Sequence, residues 1–130
     1  MKITMFLEIE EGASLEMVGE ILAGRASSFE VKNTSVEGVF PELTGTFNFD
    51  RLESICDLTA ENWEVSWSVG VIGVFDCRAS GIERMWDEIK FFMETFASRC
   101  QSRFVLSFQF ESVYAFREQS GVVYEKSMVI

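Results

Sequence analysis

The chain has 130 residues, 48% of them hydrophobic and 13 of them Phe, with a net charge of −10 and no histidine. So apolar a composition excludes intrinsic disorder, and the length sets the expectation of a single domain, residues 1–130, around one core. The missing histidine removes the Ser-His-Asp and Cys-His arrangements and every His-containing metal triad.

In chain order, Ile3, Met5, Leu7 and Ile9 alternate with Lys2, Thr4, Phe6 and Glu8, the period of a strand with one apolar face. Ser14 can cap a following helix with Leu15, Val18 and Leu22 in its buried stripe and Gly24 as its stop. Phe29 to Phe40 reads as extended, with a bend, bulge or hairpin signalled by Asn33, Thr34 and Gly38. Pro41 to Thr46 reads as a loop, and Asn48 as the cap of a short helix with Leu52, Ile55 and Cys56 facing inward.

Trp63, Val65, Trp67, Val69, Val71 and Phe75 fall on odd positions, which predicts one long strand. Ser80 and Glu83 form an S-x-x-E capping box before the helical stripe Ile82, Met85, Trp86, Ile89, Phe92, Met93 and Phe96. A further strand is expected through Phe104, Leu106, Phe108, Phe110, Tyr114 and Phe116, then a Gln119-Ser120-Gly121 turn into Val122 to Met128. The order β-α-β-(short α)-β-α-β-β predicts an α+β two-layer sandwich, mainly antiparallel, with helices on one face. It is a ferredoxin-like plait with an extra short helix and a C-terminal strand.

The charge is unevenly spread. Met1 to Glu64 hold 13 Asp/Glu against 4 Lys/Arg, whereas Val65 to Ile130 hold 8 against 7. On the predicted short helix Asp50, Glu53 and Asp57 share one stripe, and on the first helix Glu16 and Glu20 share another, with Glu10 and Glu11 just before it. Net charge argues about partners rather than fold, so these seven residues are the expected binding surface for a basic protein. A chain of net −10 without a basic run repels phosphate backbones, so no nucleic acid is expected despite the aromatic content.

Trp63, Trp67, Phe104, Leu106, Phe108 and Phe110 are therefore assigned to the core, and a sheet face left uncovered by a two-layer plait would offer a homodimer interface. No segment reaches the roughly 18 to 20 uncharged residues of a membrane span, and Glu8, Glu10 and Glu11 stand where a signal peptide needs an apolar core, so the expected location is the cytoplasm. Cys56, Cys77 and Cys100 are odd in number, widely spaced and in no CxxC pair, which predicts reduced thiols and no zinc site. No phosphate-binding glycine loop is present, and a carboxylate pair such as Glu8 with Glu10 would need a pocket that raises one pKa. Neither an enzyme, a metal nor a cofactor is expected.

In size, acidity, lack of histidine and acidic helix stripes the chain resembles the immunity proteins of bacterial polymorphic toxin systems, including contact-dependent growth inhibition. The resemblance implies a tight inhibitory complex with a cognate toxin, often a basic nuclease, in which acidic residues steer and buried anchors hold. The alternative reading is a self-associating adaptor or a ligand-binding plait without catalysis.

Overall fold

The alternating segments become eight strands of one antiparallel sheet, described over all of residues 1–130 by a computed structural model. The strands are Lys2–Glu10 (β1), Ser28–Val31 (β2), Ser35–Val39 (β3), Thr46–Cys56 (β4), Val69–Arg78 (β5), Phe104–Phe108 (β6), Ser112–Arg117 (β7) and Val123–Tyr124 (β8). Helix α1, Leu15–Ala23, joins β1 to β2, and helix α2, Ile82–Arg99, joins β5 to β6. The spatial order is β2-β3-β4-β5-β1-β6-β7-β8. Its centre, β4-β5-β1-β6, has the order of the βαββαβ plait, so the α+β sandwich expected from the alternation is the fold observed.

What is added to the plait differs from expectation. No short helix follows Asn48, because Phe47 and Phe49 alternate with Asn48 and Asp50 and β4 pairs along both edges, with β3 and β5. Leu52, Ile55 and Cys56, despite their helical spacing, fall in or at the end of an irregular stretch of β4 between the pairings of Arg51 with Val71 and of Cys56 with Val69, and Ile55 and Cys56 are exposed rather than inward. The insertion is instead the hairpin β2-β3, whose turn falls at the predicted Asn33 and Thr34.

The strand expected from Trp63 begins only at Val69, and residues 57–68 form a loop lying on the sheet. Trp63, Val65 and Trp67 alternate because an extended segment resting on a flat surface turns every second side chain toward it. One predicted strand through Phe110 is two, β6 and β7, joined through Gln109 and Phe110, both at positive φ. Neither residue signals such a turn in the sequence, and Phe110 offsets the strain by stacking on Phe6 with ring centroids 3.9 Å apart. The last strand contracts to two residues.

Ser14 caps α1 as expected, its hydroxyl accepting from the Met17 N–H at 3.1 Å, and Gly24 ends it. The Ser80 capping box does not form; Ser80 lies in a 3₁₀ turn, Ala79–Gly81, and Gly81 precedes α2 without a side-chain cap. Packing supplies what the cap does not. Met85, Trp86, Ile89, Phe92, Met93 and Phe96 are all buried against the sheet. Two glycines make room for the aromatic rings of this core. Gly38 pairs with Phe47 and Gly73 with Phe49 across neighbouring strands, and a Cβ at either glycine would collide with the ring that lies over it.

Candidate functional site: the sheet face without helices

The helices cover one face, called the front, where Val36, Phe49, Leu7 and Leu106 form one row across the sheet. The residues between them point to the back. There the row Glu30, Glu37, Asn48, Val74, Phe6 and Ser107 crosses from β2 to β6, and the next row runs Asp50, Ile72, Glu8, Val105 and Phe116. The loop 57–68 covers the second half of this face and closes a small apolar cluster of Ala60, Trp67, Val69, Val105 and Val113. The half over β2, β3 and β4 has no such cover.

Glu8 lies beneath the loop with 0% of its surface exposed. Its carboxylate accepts the backbone N–H groups of Thr59 at 2.7 Å and Ala60 at 3.1 Å, which fastens the loop to the sheet. Burial raises its pKa above the ordinary carboxylate value, against the lowering effect of those two hydrogen bonds. Two residues on, Glu10 has the opposite fate. The Arg103 guanidinium bonds it through Nη2 at 2.7 Å and Nε at 3.1 Å, and this hydrogen-bonded pair holds its pKa below the ordinary value. The two carboxylates thus differ in environment but do not share a pocket, since no solute reaches Glu8 while the loop is in place.

The seven acidic residues expected to act together are dispersed. Asp50 is on the open back face between Ser35 and Ile72, Glu53 lies in the irregular stretch of β4 between Arg51 and Cys56, and Asp57 follows the strand's end. The stripe predicted for a helix therefore does not exist. Glu16 and Glu20 do share an exposed face of α1, at the edge of a groove of about 580 Å³ whose other wall carries Lys32 and Arg51. Glu20 is paired with Arg99 at 2.6 Å, and Glu10 with Arg103, so neither carboxylate is uncompensated. Glu11 is exposed at the end of β1.

What the sequence stripes missed is the pair Glu30 and Glu37, directly opposite each other on β2 and β3, with Asp50 in the adjacent row. The signal was available: a turn centred on Asn33 and Thr34 places positions 30 and 37 face to face. Lys32 bonds Glu37 at 2.8 Å, and its pKa is raised first by that bond and then by the fields of Glu37, Glu30 and Asp50. Of the three carboxylates only Glu37 is thus in a salt bridge. On the central strands, Lys2 of β1 stands 3.7 Å from Asp76 of β5.

Over the covered half, Trp63 and Phe116, in contact with ring centroids 5.0 Å apart, line an open cleft of about 450 Å³. Glu64 and Glu118 line it too. Trp63 is half-buried and solvent-facing on one side, not the core residue expected, whereas Trp67, Phe104 and Leu106 are buried as expected. Phe108 and Phe110 are only partly buried.

The cysteines are all free, Cys77 buried, Cys100 half-buried and Cys56 exposed. Burial raises the pKa of both Cys56 and Cys77, and nearby carboxylates add to it, so neither is poised as a thiolate. No three Cys, Asp or Glu side chains converge as metal ligands, and no helix is long and apolar enough to cross a membrane. The chain matches no protein-family model, and comparison with curated proteins and with solved structures gives no match.

Proposed function

We propose that this chain is a non-catalytic, acidic binding protein of the immunity type, which acts in the cytoplasm by capping a basic protein such as a cognate nuclease toxin. The observation that carries the reading is the group Glu30, Glu37 and Asp50 on the sheet face without helices, of which only Glu37 has a salt-bridge partner, Lys32. An open sheet face suits a protein partner better than a small molecule, which needs a concave, largely enclosed site. Its charge would steer a basic partner and set the register of the complex, while apolar groups on the same face would supply affinity.

The test begins with co-purification from the native host and identification of the bound protein. Association kinetics over a salt series then compare the wild type with Glu30→Lys, Glu37→Lys and Asp50→Lys. The expected result is a slower on-rate at low salt and a flatter salt dependence for the reversed surface, with folding unchanged. An on-rate indifferent both to ionic strength and to charge reversal would leave the acidic face as solubilisation only.

A further inference from the structure

The cleft between the loop 57–68 and β7 adds a chemistry that the acidic edge lacks. Trp63 and Phe116 pack on each other at 52°, both remain only half-buried, and their outer surfaces line the cleft with Glu64 and Glu118 beside them. Aromatic faces attract cations through their ring quadrupole, and a planar guanidinium both stacks on a ring and forks onto a carboxylate. We propose that this cleft receives an arginine side chain of the basic partner, with the guanidinium against Trp63 and Phe116 and bonded by Glu64 and Glu118. The proposal rests on the basic-partner reading and names the anchor within it.

The carboxylates have capacity left for such a ligand. Glu64 is exposed and takes part in none of the salt bridges of the fold. Glu118 accepts only long contacts, from the Trp67 indole N–H at 3.4 Å and from Arg103 Nη1 at 3.5 Å. Arg103 spends its close contacts on Glu10, so it orients Glu118 more than it neutralises it.

Position supports the same occupant. Phe116 lies in one back-face row with Asp50, four strand spacings away, or about 19 Å. An interface of ordinary size, about 800 Å² per partner, spans both points. The steering charge and the cleft would then meet one protein surface. The cleft is open along one side, which admits a side chain borne on a partner's surface.

The experiment uses a blocked Gly-Arg-Gly peptide and its citrulline counterpart, titrated against the full chain and followed by amide and indole NMR shifts. The expected result is saturable shifts at residues 62–66, at 116–118 and at the Trp63 indole, from the arginine peptide and not from the neutral isostere. Trp63→Leu should weaken that binding about tenfold. Because Trp63 also touches the small back-face cluster, Glu64→Gln provides a second variant at an exposed position; it should weaken binding and reduce its salt dependence. Equal shifts from citrulline, or arginine shifts confined to the Glu30, Glu37 and Asp50 group, overturn the cleft assignment. So does the absence of saturable shifts at the cleft. The salt series with the purified partner judges the basic-partner reading separately.

Discussion

The two faces of this sheet are covered by different means and carry different chemistry. The front buries a cluster of 24 apolar residues under two helices. The back buries five, under a loop, together with two of the four buried polar residues, Glu8 and Ser107. Because hydrophobic stabilisation grows with apolar area removed from water, the front sets the stability of the domain and the back modifies it. A face that contributes little to folding is free to hold charges that do not help it fold.

The largest expected effect tests the front. Phe75 is fully buried and packs against Phe40, Phe49 and Phe92, so Phe75→Ala should cost about 3–5 kcal/mol in denaturant unfolding. A variant as stable as the wild type would break the division between faces. Gly73→Ala should cost less, about 1–3 kcal/mol, because the added methyl drives into the Phe49 ring within a filled core. Equilibrium unfolding measures both.

The same division explains what the sequence made legible. Front positions announce themselves, since Met5, Leu7 and Ile9 on β1 or Ile89, Phe92 and Phe96 on α2 repeat at the period of their element. Back positions do so only through their neighbours. Leu52, Ile55 and Cys56 carry helical spacing, yet β4 runs on through them as an irregular stretch, because β3 and β5 hold its first half from both sides and Val69 takes up Cys56 at its end, a fact of tertiary structure. Trp63 and Val65 carry strand spacing but lie in a loop, because resting on a sheet imposes the same alternation as belonging to it. The acidic site suffered from both errors. Its stripe on Asp50, Glu53 and Asp57 dissolved with the helix, while the Glu30 and Glu37 pair needed the hairpin register to be seen.

Two pH experiments sharpen the contrast within the back face. Burial raises the folded-state pKa of Glu8, so as pH rises from the ordinary value of 4.5 the folded state holds a proton that the unfolded chain releases. Stability from this group therefore falls with rising pH across that window and is unpenalised below it. Relative to the wild type, Glu8→Gln should gain stability as pH increases from about 4 to neutrality, whatever constant offset the amide introduces at Thr59 and Ala60. Glu10, held low by Arg103, works in the other direction: its contribution is present above 4.5 and lost as pH falls through the lowered folded value. Glu10→Gln should therefore be weaker than the wild type at neutral pH and converge on it in acid. Parallel slopes for the two variants would mean that the loop does not seal Glu8 from water.

The smallest expected change in stability bears most directly on function. Glu30 and Glu37 are directly opposed across β2 and β3, and like charges in that position repel even with Lys32 bonded to Glu37. Glu30→Lys replaces the repulsion by an attraction to Glu37 at an exposed edge position, so it should raise stability by about 0.2–1 kcal/mol, less in high salt. The same change should slow association with a basic partner, because it removes one steering charge and adds its opposite. A gain in folding coupled to a loss in binding is the outcome expected of a charge kept for recognition at some cost to the fold. A Glu30→Lys chain that is more stable and binds the partner at an unchanged rate would remove β2 from the contact surface and leave the cleft at Trp63 and Phe116 as the place to look for it.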